Sequence, residues 1–253
     1  NGSNLIAGGN GSANLGAGGG GGKSKSSGGS GIIIVRYYSP INPILWDLYA
    51  SYNFEGNAND LSGNGYNGTL VNAPTFSSGK FLQGVNFNGS NYISTAASTF
   101  NPSGDFSLSI WVKPSSFVNF MGILDKFTFG GTPAGWGLDI PLAGMGFQNP
   151  RFTINTTVAS YSVSGITSIS TTTWTNIICI FSSNTIYIYK NGALENQVTT
   201  SGTLVPESQA LFIGGDNAST LLYNGAIDAF NFWTRVLTPT EIATLQNFQY
   251  PFY

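Results

Sequence analysis

Histidine is absent from this chain of 253 residues, and cysteine occurs once, at Cys179. Without His the commonest general base and the commonest zinc ligand are missing, so a Ser-His-Asp triad is excluded. With a single Cys no disulfide can form within the sequence. Cys179 lies in the apolar run 174–181 and reads as a buried, inert thiol. Charge is scarce too, at 8% of residues against roughly 25% in an average soluble domain. The six lysines and three arginines are scattered, and the net charge is −2. No basic patch exists to neutralise phosphates, which excludes nucleic-acid binding. A membrane span is excluded as well. The most apolar stretch, 32–50, is interrupted by Arg36, Pro40, Asn42, Pro43 and Asp47, whereas a span needs about 20 nearly uncharged apolar residues.

What the chain does contain is aromatic residues (14%) and an abundance of Gly, Asn, Ser and Thr. The aromatics supply a core. The amides and hydroxyls supply a neutral surface of the kind found on extracellular and virion-surface proteins. Three zones follow from composition. Residues 1–31 are glycine-rich and cannot alone bury enough apolar surface to offset their chain entropy. They read either as a flexible linker or as a segment ordered by packing against neighbouring chains. Residues 32–47 hold a strand of high β-propensity, Ile32 to Tyr38, and then a Pro-containing linker. Such a strand must pair within the chain or with a partner. Residues 48–253 form the main domain. The chain begins at Asn1 rather than Met, as expected of a processed product or part of a longer chain.

Within 48–253, short alternating stretches recur between Gly/Asn/Ser turns: 49–55, 85–87, 92–94, 106–112, 174–181, 186–189, 210–213 and 226–233. Asn88-Gly89 is a turn signal, and Lys190-Asn191-Gly192-Ala193 is a hairpin turn. Thr238-Pro239-Thr240-Glu241 is a capping box with Pro at the first helical position, predicting one helix that ends near Asn247. The recurrence argues an all-β sandwich or barrel with one short C-terminal helix.

The ordered motifs are specific. They comprise Tyr52-Asn53-Phe54-Glu55-Gly56-Asn57-Ala58-Asn59-Asp60, then FSLSIWVKP from Phe106 and IYIYKNG from Ile186, then Phe212-Ile213-Gly214-Gly215 and Asn224-Gly225-Ala226-Ile227-Asp228. Over about residues 48–247 the chain resembles the laminin-G-like jelly-roll group of the concanavalin A-like lectin/glucanase superfamily, and the resemblance implies the fold class: all-β, a two-sheet antiparallel jelly-roll sandwich with one short C-terminal helix. The resemblance implies calcium held between the early loop and the late Gly-x-Ile-Asp segment, here Glu55, Asn57, Asp60 and Asp228. Tight turns also favour Asn, Asp and Gly for their own hydrogen bonding, which is the competing reading. Gly29 to Tyr37 is similar to glycine-rich segments of phage tail-fibre and virion surface proteins.

Chemistry narrows the function. The glucanases of the superfamily carry a Glu-x-Asp-x-x-Glu strand, and here no two of the eleven acids lie closer than five positions apart. Paired carboxyls for hydrolysis would have to converge in space, and the expectation is a protein that is not an enzyme, with no catalytic residues. For sugar binding the candidates are Trp136 as a stacking face, with Asp139, Asn149 and Arg151 to meet hydroxyls. Trp136 opening a core strand is the alternative. The expected function is a non-catalytic carbohydrate-binding or adhesion module of a virion fibre or cell-surface appendage. Its partners are glycans or a host surface, and neighbouring subunits, in a homo-oligomer or larger assembly, through the N-terminal segment. A structural capsid or fibre decoration protein without sugar binding is the alternative, and a glycoside hydrolase a more distant one.

Overall fold

The computed structural model describes residues 44, 46–117, 120–128, 133–141, 148–216 and 220–247. The glycine-rich segment and the expected strand 32–38 lie outside the described residues. The described residues form a sandwich of two antiparallel sheets, as the family resemblance implies.

The larger sheet has eight strands: β1 (Leu48–Tyr52), β3 (Thr75–Ser78), β4 (Gln83–Asn88), β6 (Phe106–Pro114), β11 (Thr175–Ser182), β12 (Thr185–Lys190), β13 (Ala193–Thr199) and β15 (Asn224–Trp233). Their order is β13-β12-β11-β6-β15-β4-β3, with β1 also on β15. The smaller sheet has seven: β2 (Thr69–Val71), β5 (Tyr92–Ser94), β7 (Met121–Thr128), β8 (Ala134–Ile140), β9 (Arg151–Asn155), β10 (Ser160–Ser164) and β14 (Phe212–Ile213). Its order is β10-β9-β8-β7-β14-β5-β2. Strand β15 pairs with β4 through Ile227 and with β1 from Phe230. The handover falls at a bulge between Asp228 and Asn231, where Ala229 has φ 47°.

Period-two alternation decides what lies between the sheets. Phe106, Leu108, Ile110 and Val112 of β6 face Trp136, Leu138, Phe152 and Ile154 of the smaller sheet in one buried cluster. Phe232 stacks there on both Phe106 and Trp136 with centroids 5.3 Å apart, and Phe106 and Trp136 meet at a tilt 5.8 Å apart. Cys179 is wholly buried in the same cluster, and burial pushes its thiol pKa well up, which makes it inert.

The outer face of the eight-stranded sheet is roofed. Ile178, Ile180 and Trp233 are covered by Ile44 and by Leu237, Ile242 and Leu245 in and around α1 (Pro239–Thr244). The helix begins as the capping box predicts: Thr238 caps Glu241 N–H, and the Glu241 carboxylate accepts from Thr238 N–H at 2.7 Å. Two expectations shift. Strand β1 stops at Tyr52 because Phe54 takes a left-handed φ of 54°, and Trp174 precedes β11 half-buried. Among the described residues no helix is long and apolar enough to cross a membrane.

Candidate functional site

The outer face of the seven-stranded sheet is built by register. One row crosses every strand: Ser162, Thr153, Gly137, Asp125, Phe212, Ser94 and Thr69 stand opposite one another in sequence. At about 4.8 Å per strand it measures about 29 Å, room for a short oligosaccharide. Beside it runs a second row with Ser164, Arg151 and Asp139. Arg151 grips Asp139 bidentately, at 3.1 Å from Nε and 2.8 Å from an Nη, and its guanidinium lies 5.1 Å from the Phe120 ring. Gly137 has no side chain, and the Phe127 ring lies where its Cβ would be. The result is a cleft of about 290 Å³ walled by Phe127 on one side and Asp139–Arg151 on the other, with Thr153, Ser160 and Ser162 between. A second cleft of about 530 Å³ lies on the far side of Arg151, against Asn149, Gly165, Ile166 and Asn196.

Of the four expected sugar contacts, Asp139 and Arg151 come together on this face. Asn149 lines the second cleft, where its amide donates to the Gly165 carbonyl at 2.7 Å and accepts from Ser168 at 3.0 Å. Trp136 is a correction. It lies three residues from Asp139, an odd spacing that puts it on the opposite face of the sheet. It is 2% exposed, and its indole N–H donates to the Phe100 carbonyl at 3.0 Å. No sugar can stack on it, and the core-strand alternative holds.

Asp125 is the residue that sequence reasoning missed. Its Oδ1 accepts from Phe127 N–H at 2.8 Å, and its other carboxyl oxygen meets no hydrogen-bond donor among the described residues. Burial pushes its pKa up to about 7, with Asp216, Asp139 and Glu207 adding negative field. Asp139 is also raised by burial, against the pull of Arg151. Lys126, the next residue, shares a row with Trp136 and faces away. Its Nζ donates to the carbonyls of Glu207 and Gln209, and burial lowers its pKa to about 8.

The expected calcium residues divide into two pairs. Asp60 accepts from Ser51 N–H, Ser62 N–H, Ser62 hydroxyl and Tyr66 N–H at 2.8 to 3.0 Å, which fastens its own turn. Asn57 accepts from Asn59 N–H and donates to the Glu55 carbonyl, a local turn again. Glu55 and Asp228 do converge, on the segment 79–83. The Glu55 carboxylate accepts from Gln83 N–H at 3.1 Å, and Asp228 Oδ2 accepts from Phe81 N–H at 2.9 Å. Asp228 Oδ1 is buried without a hydrogen-bond partner, and burial raises this carboxyl to about 7 with Glu55 contributing. Among the described residues no group of three or more acidic, thiol or imidazole side chains is placed to hold a metal.

The sequence matches the laminin G family description of the concanavalin A-like lectin/glucanases superfamily over residues 87–243, more than half of the chain. The chain belongs to this superfamily. No curated protein matches it. Among solved structures it is similar to domain 4 of an extracellular GH43 arabinanase from Geobacillus stearothermophilus in complex with arabinotriose. The TM-score is 0.64 at 20% identity, covering 79% of this chain and 98% of that one. It is also similar to the binding domain of Paraclostridial Mosquitocidal Protein 1 (TM-score 0.67, 17% identity) and to that of botulinum neurotoxin DC in complex with SialylT (TM-score 0.62, 16%). Both toxin matches cover 81% of this chain and 52% of the other, so the chain spans about half of those binding domains. At these identities the likeness is one of fold.

Proposed function

We propose that the domain is a non-catalytic carbohydrate-binding module whose glycan lies across the seven-stranded face. The observation that carries this reading is the Asp139–Arg151 pair standing between two clefts, with the Phe127 and Phe120 rings and exposed hydroxyls beside it. Apolar ring faces flanked by fixed polar groups are what sugar recognition requires. The solved relatives named above in complex with arabinotriose and SialylT support the same reading.

Hydrolysis has one observation in its favour, because Asp125 and Asp139 share the face of neighbouring strands. It lacks the second working carboxyl. Asp139 is held in two bonds by Arg151, which leaves Asp125 alone where a glycosidase needs a pair. For calcium the proposal narrows to Glu55 and Asp228, the latter through its unpartnered oxygen. A bound cation would supply there the charge that Asp228 now lacks. The sparse charge and abundant Asn, Ser, Thr and Gly support an extracellular setting. The resemblance of Gly29 to Tyr37 supports a virion fibre or surface appendage, with subunits joined through that segment.

The test is a glycan array with the full chain, alongside Arg151→Ala. Array binding that falls at least about tenfold in a folded Arg151→Ala variant is expected. A blank array with the folded native chain would overturn the reading in favour of structural decoration.

A further inference from the structure

The charge on the open face is unevenly distributed. Arg151 is its one cation among the described residues, and Asp139 already occupies it in two bonds. Asp125 stands in the central row, 5% exposed, and among the described residues its second carboxyl oxygen meets no hydrogen-bond donor. Asp216 follows β14 and adds its charge at Asp125. Its Oδ1 accepts from Thr220 and Leu221 N–H at 2.7 and 3.1 Å, and its Oδ2 accepts from the Thr220 hydroxyl. Lys126 faces the other side. The connecting segments 118–119, 129–132, 142–147 and 217–219 contain no charged residue, so they bring no further cation. Pairing Asp139 with Arg151 leaves Asp125 and Asp216 without a counter-charge among the described residues.

We propose that this face selects uncharged glycans, taking sugar hydroxyls on the second carboxyl oxygen of Asp125, and turns away glycans that carry carboxylates. The inference rests on the carbohydrate-binding reading and specifies its ligand class. A hydroxyl can donate to Asp125, whereas a carboxylate of a sialic or uronic acid cannot. An acidic sugar would also have to displace Asp139 from Arg151 or sit unpaired beside two like charges. Like charges a few ångströms apart at a partly wet surface cost on the order of tenfold in affinity.

The experiment uses the full chain at pH 8, where Asp125 is ionised. Arabinotriose and neutral gluco-oligosaccharides are the uncharged probes; SialylT and oligogalacturonate are the acidic ones. The expected result is at least about tenfold weaker binding of the acidic probes at low salt, with the gap closing in 0.5 M salt as screening rises. Asp125→Asn, checked for a cooperative melt, is expected to narrow the same gap. Should that variant not fold, the salt series decides alone. Acidic probes that bind as tightly as neutral ones, or a gap indifferent to salt, would overturn the inference and leave the module a glycan binder. Binding of neither class would overturn the carbohydrate reading itself.

Discussion

Asp125 offers a stability measurement that is independent of any ligand. Its carboxyl is raised from 3.8 to about 7, first by burial and then by the neighbouring acids, against the one bond from Phe127 N–H. Between those two values the folded chain holds a proton that the unfolded chain has released. Stability from this group is therefore full below about pH 4 and is lost as pH rises through 7. The slope is about 1.4 kcal/mol per pH unit and halves at the pKa itself, so about 2 kcal/mol disappears between pH 5 and pH 7. Asp125→Asn keeps an oxygen for Phe127 N–H and removes the titration. Urea unfolding of both proteins at pH 5, 6, 7 and 8, with chelator present, isolates the effect by difference. Asp228 is raised by burial as well, and it cancels because both proteins carry it. The variant is expected to gain on the native chain by about 3 kcal/mol from pH 5 to pH 8. Two curves that run parallel within about 0.5 kcal/mol across that range would refute the burial argument for this carboxyl.

Three further outcomes are expected. Glu241→Ala removes the partner of Arg235 at 2.7 Å and the cap on Thr238 N–H, and should cost about 2 kcal/mol, or a melting temperature lower by about 4–8 °C; an unchanged melt would show that the roof over the larger sheet does not depend on this helix start. Calcium at millimolar concentration should raise the melting temperature of the native chain and not that of Asp228→Asn, and equal shifts in both would remove Glu55 and Asp228 as its ligands. Deleting residues 1–38 should leave a cooperatively melting sandwich and abolish assembly in light scattering; a truncated chain that still assembles would place the contacts elsewhere.

The sandwich was legible wherever one face of a strand is apolar and the other is not. Residues 106–112 alternate so clearly that inner and outer sides could be assigned directly, and β6 follows that assignment. The helix start was equally legible because a capping box is a local device. The strands that build the candidate site were harder to read. Strand β8 is buried along its whole length, with Gly135 and Gly137 where alternation would show, and β7 carries a bulge between Gly122 and Leu124 that breaks the period. Strand β13 is largely exposed and polar, so it has no apolar rhythm. Asp125 escaped for a different reason: it lies fourteen positions before Asp139, and only cross-strand register brings the two onto one face. The burial of Trp136 could have been read from the sequence, because its odd spacing from Asp139 already separates their faces.

The two outer faces treat the same kinds of side chain in opposite ways. On the eight-stranded sheet, Ser107, Ser109, Asn176 and Asn231 are buried, and each has a partner. Ser107 donates to the Arg235 carbonyl and accepts from Leu237 N–H. Asn176 joins Ser109 at 3.0 Å and Gln246 at 2.8 Å, and Asn231 accepts from Ser51 at 2.7 Å. Polar groups under a roof must be matched one by one, since each unmade bond costs roughly 1–3 kcal/mol. On the seven-stranded sheet, among the described residues, Ser162 lies open and bonds Thr153 beside it at 2.7 Å, and the second oxygen of Asp125 meets no donor. Exposed hydroxyls with bonding capacity to spare, next to a guanidinium 5.1 Å from the Phe120 ring, can be satisfied by water until something with its own hydroxyls replaces it. A chain meant only to pack against other subunits would gain more from an apolar face at this position, and that contrast makes the open sheet the side on which a ligand is to be sought.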